Sequence, residues 1–201
     1  MREAGARSLR LSVAVHNAML AEALSAAAVR AGWVPVAARH EGTVLVTDRA
    51  PARPAGNPPG NRVVLVCEPT PYGARKGLDA ISELTAAGLV CADAPGDVGC
   101  ALDGLARRQA SVPLRVLELA AQMPAITDRQ IEVLSAVAAG QSNTEICRNL
   151  HLSAASVKRE LAVLYCALGA ATRSVLAATA LELGVSPSFR PVSGARPRQE
   201  R

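Results

Sequence analysis

The sequence predicts two domains in series: an α/β amino-terminal domain with a mostly parallel sheet, and an all-α carboxy-terminal domain of four short helices. Three observations carry this. Short β-branched runs alternate with Ala/Leu-rich helical stretches over residues 9–109. From Pro124 onward every apolar pattern has helical spacing. One further helical stretch, residues 114–122, lies between the two textures. The expected boundaries are 1–110 for the first domain, 111–123 for a linker helix, 124–186 for the helical domain and 187–201 for a basic, disordered tail rich in Pro, Ser and Arg.

Taken in order, residues 9–15 read as a strand. Residues 17–31 read as a helix, with Met19, Leu20, Ala23, Leu24 and Ala27 at helical spacing and Gly32 as its stop. Residues 33–38 and 43–46 read as two short strands. Four prolines and two glycines over 49–62 exclude regular structure there. The run 62–67, RVVLVC, is continuously apolar, as a strand buried on both faces requires. A helix over 77–87, a strand over 89–92 and a helix over 98–109 complete the first domain.

In the second domain the helix starts are written in side chains. Thr127 with Gln130, and Ser142 with Glu145, have the spacing of capping boxes, in which each side chain satisfies the other residue's free backbone N–H. Ser153 and Thr172 cap two further helices, and Gly140, Gly169 and Gly184 end three of the four. The break at 151–153 leaves two short helices joined by a tight turn. The second exposes Ser153, Ala154, Ser156, Lys158, Arg159 and Ala162. That is the plan of a helix-turn-helix: the second helix enters the major groove of DNA, and small residues at its start permit close approach to phosphates.

The composition limits the alternatives. Half the residues are hydrophobic, but aromatics are only 2%, which disfavours a single-strand binder that stacks bases on rings. No run of about 18 uncharged apolar residues suggests a membrane span, and no signal peptide is read at the start. The five cysteines are scattered, which reads as buried thiols in a reducing cytoplasm. The net charge is +5, distributed as +2 over residues 1–123 (13 basic, 11 acidic), 0 over 124–186 (5 and 5) and +3 over 187–201 (4 and 1). A neutral helical domain is an awkward partner for DNA, whose affinity comes largely from phosphate neutralisation. The three histidines have no metal-ligand spacing, and no nucleophile elbow, P-loop or dinucleotide-binding glycine motif is present. Asp93 and Asp97 flank an Ala-Pro-Gly turn and read as solvated turn acids. No enzyme, cofactor or metal is expected.

The stretch from Ile126 to Val185 resembles the LuxR/NarL (GerE-type) helix-turn-helix domain. The matching residues are Thr127, Arg129, Glu132, Val133, Leu134, Gly140, Ser142, Asn143, Glu145, Ile146, Leu150, Leu152, Ser153, Val157, Lys158, Leu168, Gly169 and Arg173. The resemblance implies that Lys158 and Arg159 face the bases. It implies that Ser142, Asn143, Ser153 and Ser156 lie near the phosphate backbone, and that Val175, Leu176 and Thr179 make a dimer contact. Three positions depart from the family pattern: Ser156 replaces a Thr, Glu160 a His, and Ala162 a residue that is often basic.

The order of elements before that domain resembles a shortened receiver, with LRLSVAV, TVLVTD, RVVLVC and GLVCAD as its first, third, fourth and fifth strands. A receiver phosphorylated on Asp uses a Mg²⁺-binding acid pair after the first strand. Here His16-Asn17 stand in that place, Thr47 is nearest the acceptor position with Asp48 beside it, Glu68 or Thr70 follows the fourth strand, and Ala92 replaces the Lys. Asp48 reads as a turn residue, and the domain as a degenerate receiver with no phosphorylation site. The leading reading is a cytoplasmic, sequence-specific regulator that binds double-stranded DNA as a homodimer, with RNA polymerase or a small-molecule effector as further partners. A second reading is an anti-activator that heterodimerises with other regulators and touches DNA poorly. A third is a promoter-recognising region like that of a sigma factor, which the α/β first domain disfavours.

Overall fold

The structure is a computed structural model that describes residues 9–37, 43–49, 63–83 and 86–187. Most of the Pro-rich loop and all but the first residue of the expected tail lie outside these. The chain divides into two compact units, Met1–Gln122 and Met123–Arg201.

The first unit holds a five-stranded, wholly parallel sheet. Its strands are β1 (Arg10–Ala14), β2 (Val34–Pro35), β3 (Val44–Thr47), β4 (Val63–Cys67) and β5 (Gly88–Cys91), in the order β2-β1-β3-β4-β5. This is a doubly wound order in which β1 and β3 flank the point where the winding reverses. Every residue of β4 and β5 is buried, as their unbroken apolar runs require. Helix α1 (Ala18–Arg30) is capped by Asn17, whose Oδ1 accepts from the Leu20 N–H at 3.2 Å. It packs with α3 (Val98–Ala106) on one sheet face, around Leu11, Leu24, Val46, Val64, Val90 and Leu102. On the other face α2 (Pro71–Ser82) and α4 (Leu114–Ala121) cover Leu65, Cys67, Leu89 and Cys91.

Three expectations are corrected here. Helix α2 begins at Pro71, six residues before the expected start, and ends five before the expected stop. The true start is the Thr70 cap, which accepts from the Gly73 N–H at 3.1 Å, followed by Pro71, whose missing N–H costs nothing at a first helical position. Gly77 is no boundary. It is buried mid-helix, where a Cβ would come within 3.2 Å of Leu89, so glycine lets the helix approach β5 closely. The helix expected as a linker is instead part of the first unit's core. Val116 is fully buried beside α2, and Ser111, just before the helix, extends the sheet by pairing with Gly88. Helix α3 also ends earlier than expected, at Ala106.

The second unit has the four expected helices: α5 (Asp128–Ala138), α6 (Asn143–Asn149), α7 (Ala154–Ala167) and α8 (Arg173–Glu182). Both capping boxes form. The Gln130 N–H meets Thr127 Oγ1 at 3.3 Å while Gln130 Oε1 accepts from the Thr127 N–H at 2.9 Å. The Ser142–Glu145 pair repeats the pattern at 3.3 and 2.7 Å. Val133, Leu134, Val137, Ile146, Val157, Leu161, Leu164, Leu176 and Ala180 are among its buried residues. Among the described residues no helix is long and apolar enough to cross a membrane.

Candidate nucleic-acid interface

The turn between α6 and α7 is tight because His151 adopts a left-handed backbone, φ 54°, and the Leu152 N–H then reaches back to the Cys147 carbonyl at 2.9 Å. Two arginines brace the bihelical unit from outside it. Arg129 on α5 donates to the Leu150 carbonyl at 3.0 Å and pairs with Glu132 at 2.6 Å. Arg173 at the start of α8 donates to Asn143 Oδ1 at 3.2 Å and to the Gln141 carbonyl. Gln141, itself buried, accepts from Asn149 Nδ2 at 2.9 Å. Both ends of α6 are thus held by long, planar donors, which sets the angle at which α7 is offered. In the sequence these two arginines were legible only as motif matches; their anchoring role needed the structure.

Helix α7 buries Val157, Leu161 and Leu164 and turns Ala154, Ala155, Lys158, Arg159 and Ala162 outward. Its cap, Ser153, accepts from the Ser156 N–H at 3.1 Å, and the two hydroxyls are 2.9 Å apart. Asn143, Thr144, Cys147, Ala154 and Lys158 line one groove between the starts of α6 and α7. Asn143 and Lys158, predicted separately, are therefore brought together. Thr144, Cys147 and Ala154 join them by helix geometry: one turn separates Asn143 from Cys147 and Ala154 from Lys158. Ser142 is committed to its capping box. Its N–H and hydroxyl hold Glu145 below the ordinary carboxylate range.

Glu160 is one of the three departures from the family pattern. Its side chain is turned back to α5, where Oε2 accepts from Gln130 Nε2 at 3.2 Å, and only 18% of it is exposed. Arg159 keeps 73% of its side chain exposed, with a loose 3.8 Å approach to Glu160. With Glu132 on Arg129, Glu145 in its capping box and Glu160 against Gln130, three of the five acids counted in this domain are engaged away from the exposed face of α7. A domain of zero net charge thereby presents a locally basic helix.

One expected contact residue is corrected. Leu176 is 0% exposed, because α8 packs this side into the domain core with Ala180, so its side chain cannot serve a partner surface. Val175 is exposed and Thr179 half-buried, and Ala178 falls on the same outward side.

In the first unit, the C-terminal ends of β1 and β3 hold an ion pair. The His16 N–H donates to Asp48 Oδ2 at 2.8 Å, and His16 Nδ1 lies 3.0 Å from both carboxylate oxygens. Burial pushes the Asp48 carboxyl up, but the His16 backbone and ring hydrogen bonds and the charge of His16 outweigh it and hold the group below its ordinary 3.8. Asp48 lies in the bend after β3, as expected of a turn residue, and is paired there with His16, while Asn17 is spent on capping α1. Asp93 lies exposed in the turn after β5, as expected of a solvated turn acid. Its contact with the Cys91 thiol and its pairing with Arg115 at the head of α4 lower it. Burial pushes the Cys67 thiol up to about 12, with the neighbouring Cys91 adding to the shift.

The first unit is thus a doubly wound parallel sheet, and the second a bihelical unit that presents a basic helix, the arrangement of a helix-turn-helix. Residues 124–180 match the model of the bacterial regulatory proteins, luxR family. Among solved structures, it is similar to RcsB in the structure of two RcsB dimers bound to two parallel DNAs, with 18% identity, 88% of this chain and 99% of that chain covered, and a TM-score of 0.52. It is similar also to the two-component response regulator RcsB–DNA complex, with 17% identity, 88% and 99% covered, and a TM-score of 0.51. At such identities the likeness establishes the fold. No curated protein matches the chain.

Proposed function

We propose that the protein regulates transcription in the cytoplasm by binding a specific double-stranded DNA site as a homodimer, without phosphorylation of an aspartate. The observation that carries DNA binding is the outward face of α7, where Lys158 and Arg159 are exposed while Glu160 is turned back to Gln130. Each can read a guanine edge or neutralise a phosphate. Ser153, Ser156, Ser142 and Asn143 lie at the starts of α6 and α7, where backbone N–H groups and short hydroxyls suit phosphate oxygens. A dimer offers two such helices about one DNA turn apart, hence a roughly palindromic site. The DNA-bound RcsB dimers support this arrangement by analogy.

Phosphorylation independence rests on the receiver's chemistry. A Mg²⁺-dependent acceptor needs carboxylates free to take a metal. Here the place of the acid pair holds His16 and Asn17, and both oxygens of Asp48 already face His16. Incubation with acetyl phosphate and Mg²⁺ is expected to leave the intact mass unchanged; an added phosphoryl group lost in Asp48→Ala would overturn this.

DNA binding is tested by footprinting on genomic fragments, its own upstream region included, across a salt series. Wild-type protein is expected to protect a spaced, paired site. Lys158→Ala/Arg159→Ala is expected to lose about 2–6 kcal/mol of affinity, and the log–log salt slope to fall by about 2, one for each lost phosphate or base-edge charge. The zero net charge of the domain favours one rival, an anti-activator that heterodimerises with other regulators. Selective binding that disappears in the double variant excludes it; a wild-type protein that protects nothing at any salt supports it.

A further inference from the structure

Helices α5 and α6 both start with a capping box, but the residue that reaches back differs: Gln130 in α5, Glu145 in α6. Either type serves, because the cap N–H needs only a side-chain oxygen. What separates them is their surroundings. Glu145 is exposed, whereas Gln130 is half-buried and meets Glu160 of α7. The box also decides which way the Gln130 amide points. The Thr127 N–H can only donate, so Oε1 turns to it, at 2.9 Å, and Nε2 is left for α7. There it finds a carboxylate, which can only accept, and donates to Glu160 Oε2 at 3.2 Å. A glutamate at 130 would fill the box equally well but would set two like charges against each other.

We propose that Gln130 and Glu160 are a matched pair that aims α7 at DNA, with Glu160 a positioning residue that acts through the α5 capping box on how Lys158 and Arg159 are presented. This rests on the reading of α7 as the DNA-binding helix and names what sets its angle. Helix α7 packs through Val157, Leu161 and Leu164, and apolar contact is non-directional. Such contact fixes how deeply the helix sits more than how it is turned. A hydrogen bond between two planar groups is directional, and binding groups need to be held within about 10–20° of their productive geometry. The tie also lies in the right place. Glu160 directly follows Lys158 and Arg159, and its second oxygen, Oε1, is 3.8 Å from an Arg159 guanidinium nitrogen. The carboxylate that Gln130 holds therefore stands beside the exposed guanidinium. The tie has a companion as well. Arg129, next to Gln130, donates to the Leu150 carbonyl at the end of α6, so two adjacent residues in the first turn of α5 hold both halves of the bihelical unit.

The test compares affinity for the footprinted site with affinity for unrelated DNA of equal length. It uses the full chain as wild type, Gln130→Glu, Glu160→Gln and the double exchange Gln130→Glu/Glu160→Gln, with urea denaturation of each. Gln130→Glu is expected to lower the ratio of the two affinities by about fivefold or more. The double exchange reverses the bond, so that the amide on α7 donates to the carboxylate on α5, and is expected to restore the ratio to within about twofold of wild type. Glu160→Gln alone keeps an acceptor for Gln130 Nε2 and is expected to stay within about threefold. A purely structural role changes the folded fraction, and added negative charge weakens binding to every DNA; both leave the ratio where it was. If Gln130→Glu unfolds the protein, Glu160→Ala, which leaves the capping box whole, takes its place and must lower the ratio by the same about fivefold. A ratio that does not move, or one that the double exchange fails to restore, overturns this inference alone. A wild type that prefers no site over unrelated DNA overturns the DNA-binding reading and this inference with it.

Discussion

The two units keep their sequence signals in different places. In the second, each helix is started by a side chain that bonds within three residues: Thr127 to Gln130, Ser142 to Glu145, Ser153 to Ser156 and Thr172 to Val175. In the first, the strands exist because Leu11, Val46, Val64 and Val90 are buried together from across 79 positions of the chain, and helices cover them. The contrast teaches where function survives. The second unit keeps a chemically specific surface, the exposed Lys158 and Arg159, on a scaffold of local caps. The first has a doubly wound parallel sheet whose C-terminal edge carries paired side chains, His16 with Asp48 and Arg115 with Asp93.

The largest test of this contrast is a pair of core truncations. Leu164→Ala in α7 and Leu89→Ala in β5 remove side chains that are fully buried, and each is expected to cost about 2–5 kcal/mol. Followed by tryptophan fluorescence, which reports the first unit through Trp33, and by DNA binding, which reports the second, each truncation should lower only its own unit's midpoint. Joint loss would show the two units to be one cooperative block. Cap removal comes next. Thr127→Ala takes away one half of a capping box and is expected to cost about 1 kcal/mol by urea denaturation. A loss below a few tenths would mean that α5 is held by packing rather than by its cap.

Acid titration gives a smaller effect with a defined sign. The carboxyls of Asp48 and Asp93 are both depressed in the folded protein, so the stability they contribute is present above about 3.8 and is lost as pH falls through their lower folded values. NMR titration should find Asp48 below 3.8, and higher in His16→Ala; an unmoved Asp48 would show that His16 is not its partner in solution. The smallest expected effect is Glu160→Gln. Because this carboxylate is turned to Gln130, the change should alter DNA affinity by less than about threefold, whereas an acid on the groove face would give about tenfold.

The residues themselves show why some features were legible and others were not. The capping boxes, the glycine stops, the helix-turn-helix spacing and the apolar run of β4 depend on neighbours in sequence, and the structure has them where the pattern placed them. The start of α2 was also written locally, in Thr70-Pro71, but Gly77 hid it by looking like a boundary when it is a packing glycine against Leu89.

By itself, then, the sequence determined the order of elements, the two-domain plan and the basic helix, because propensity, caps and periodicity act over a few residues. Only the tertiary structure decided three things. Glu160 points away from the groove, Leu176 is withdrawn into the core, and α4 belongs to the first unit rather than to a linker. All three depend on which side of a helix meets a distant partner, Gln130 thirty residues away in the first case and α2 in the last. Helical periodicity marks that a face is apolar without saying what will cover it.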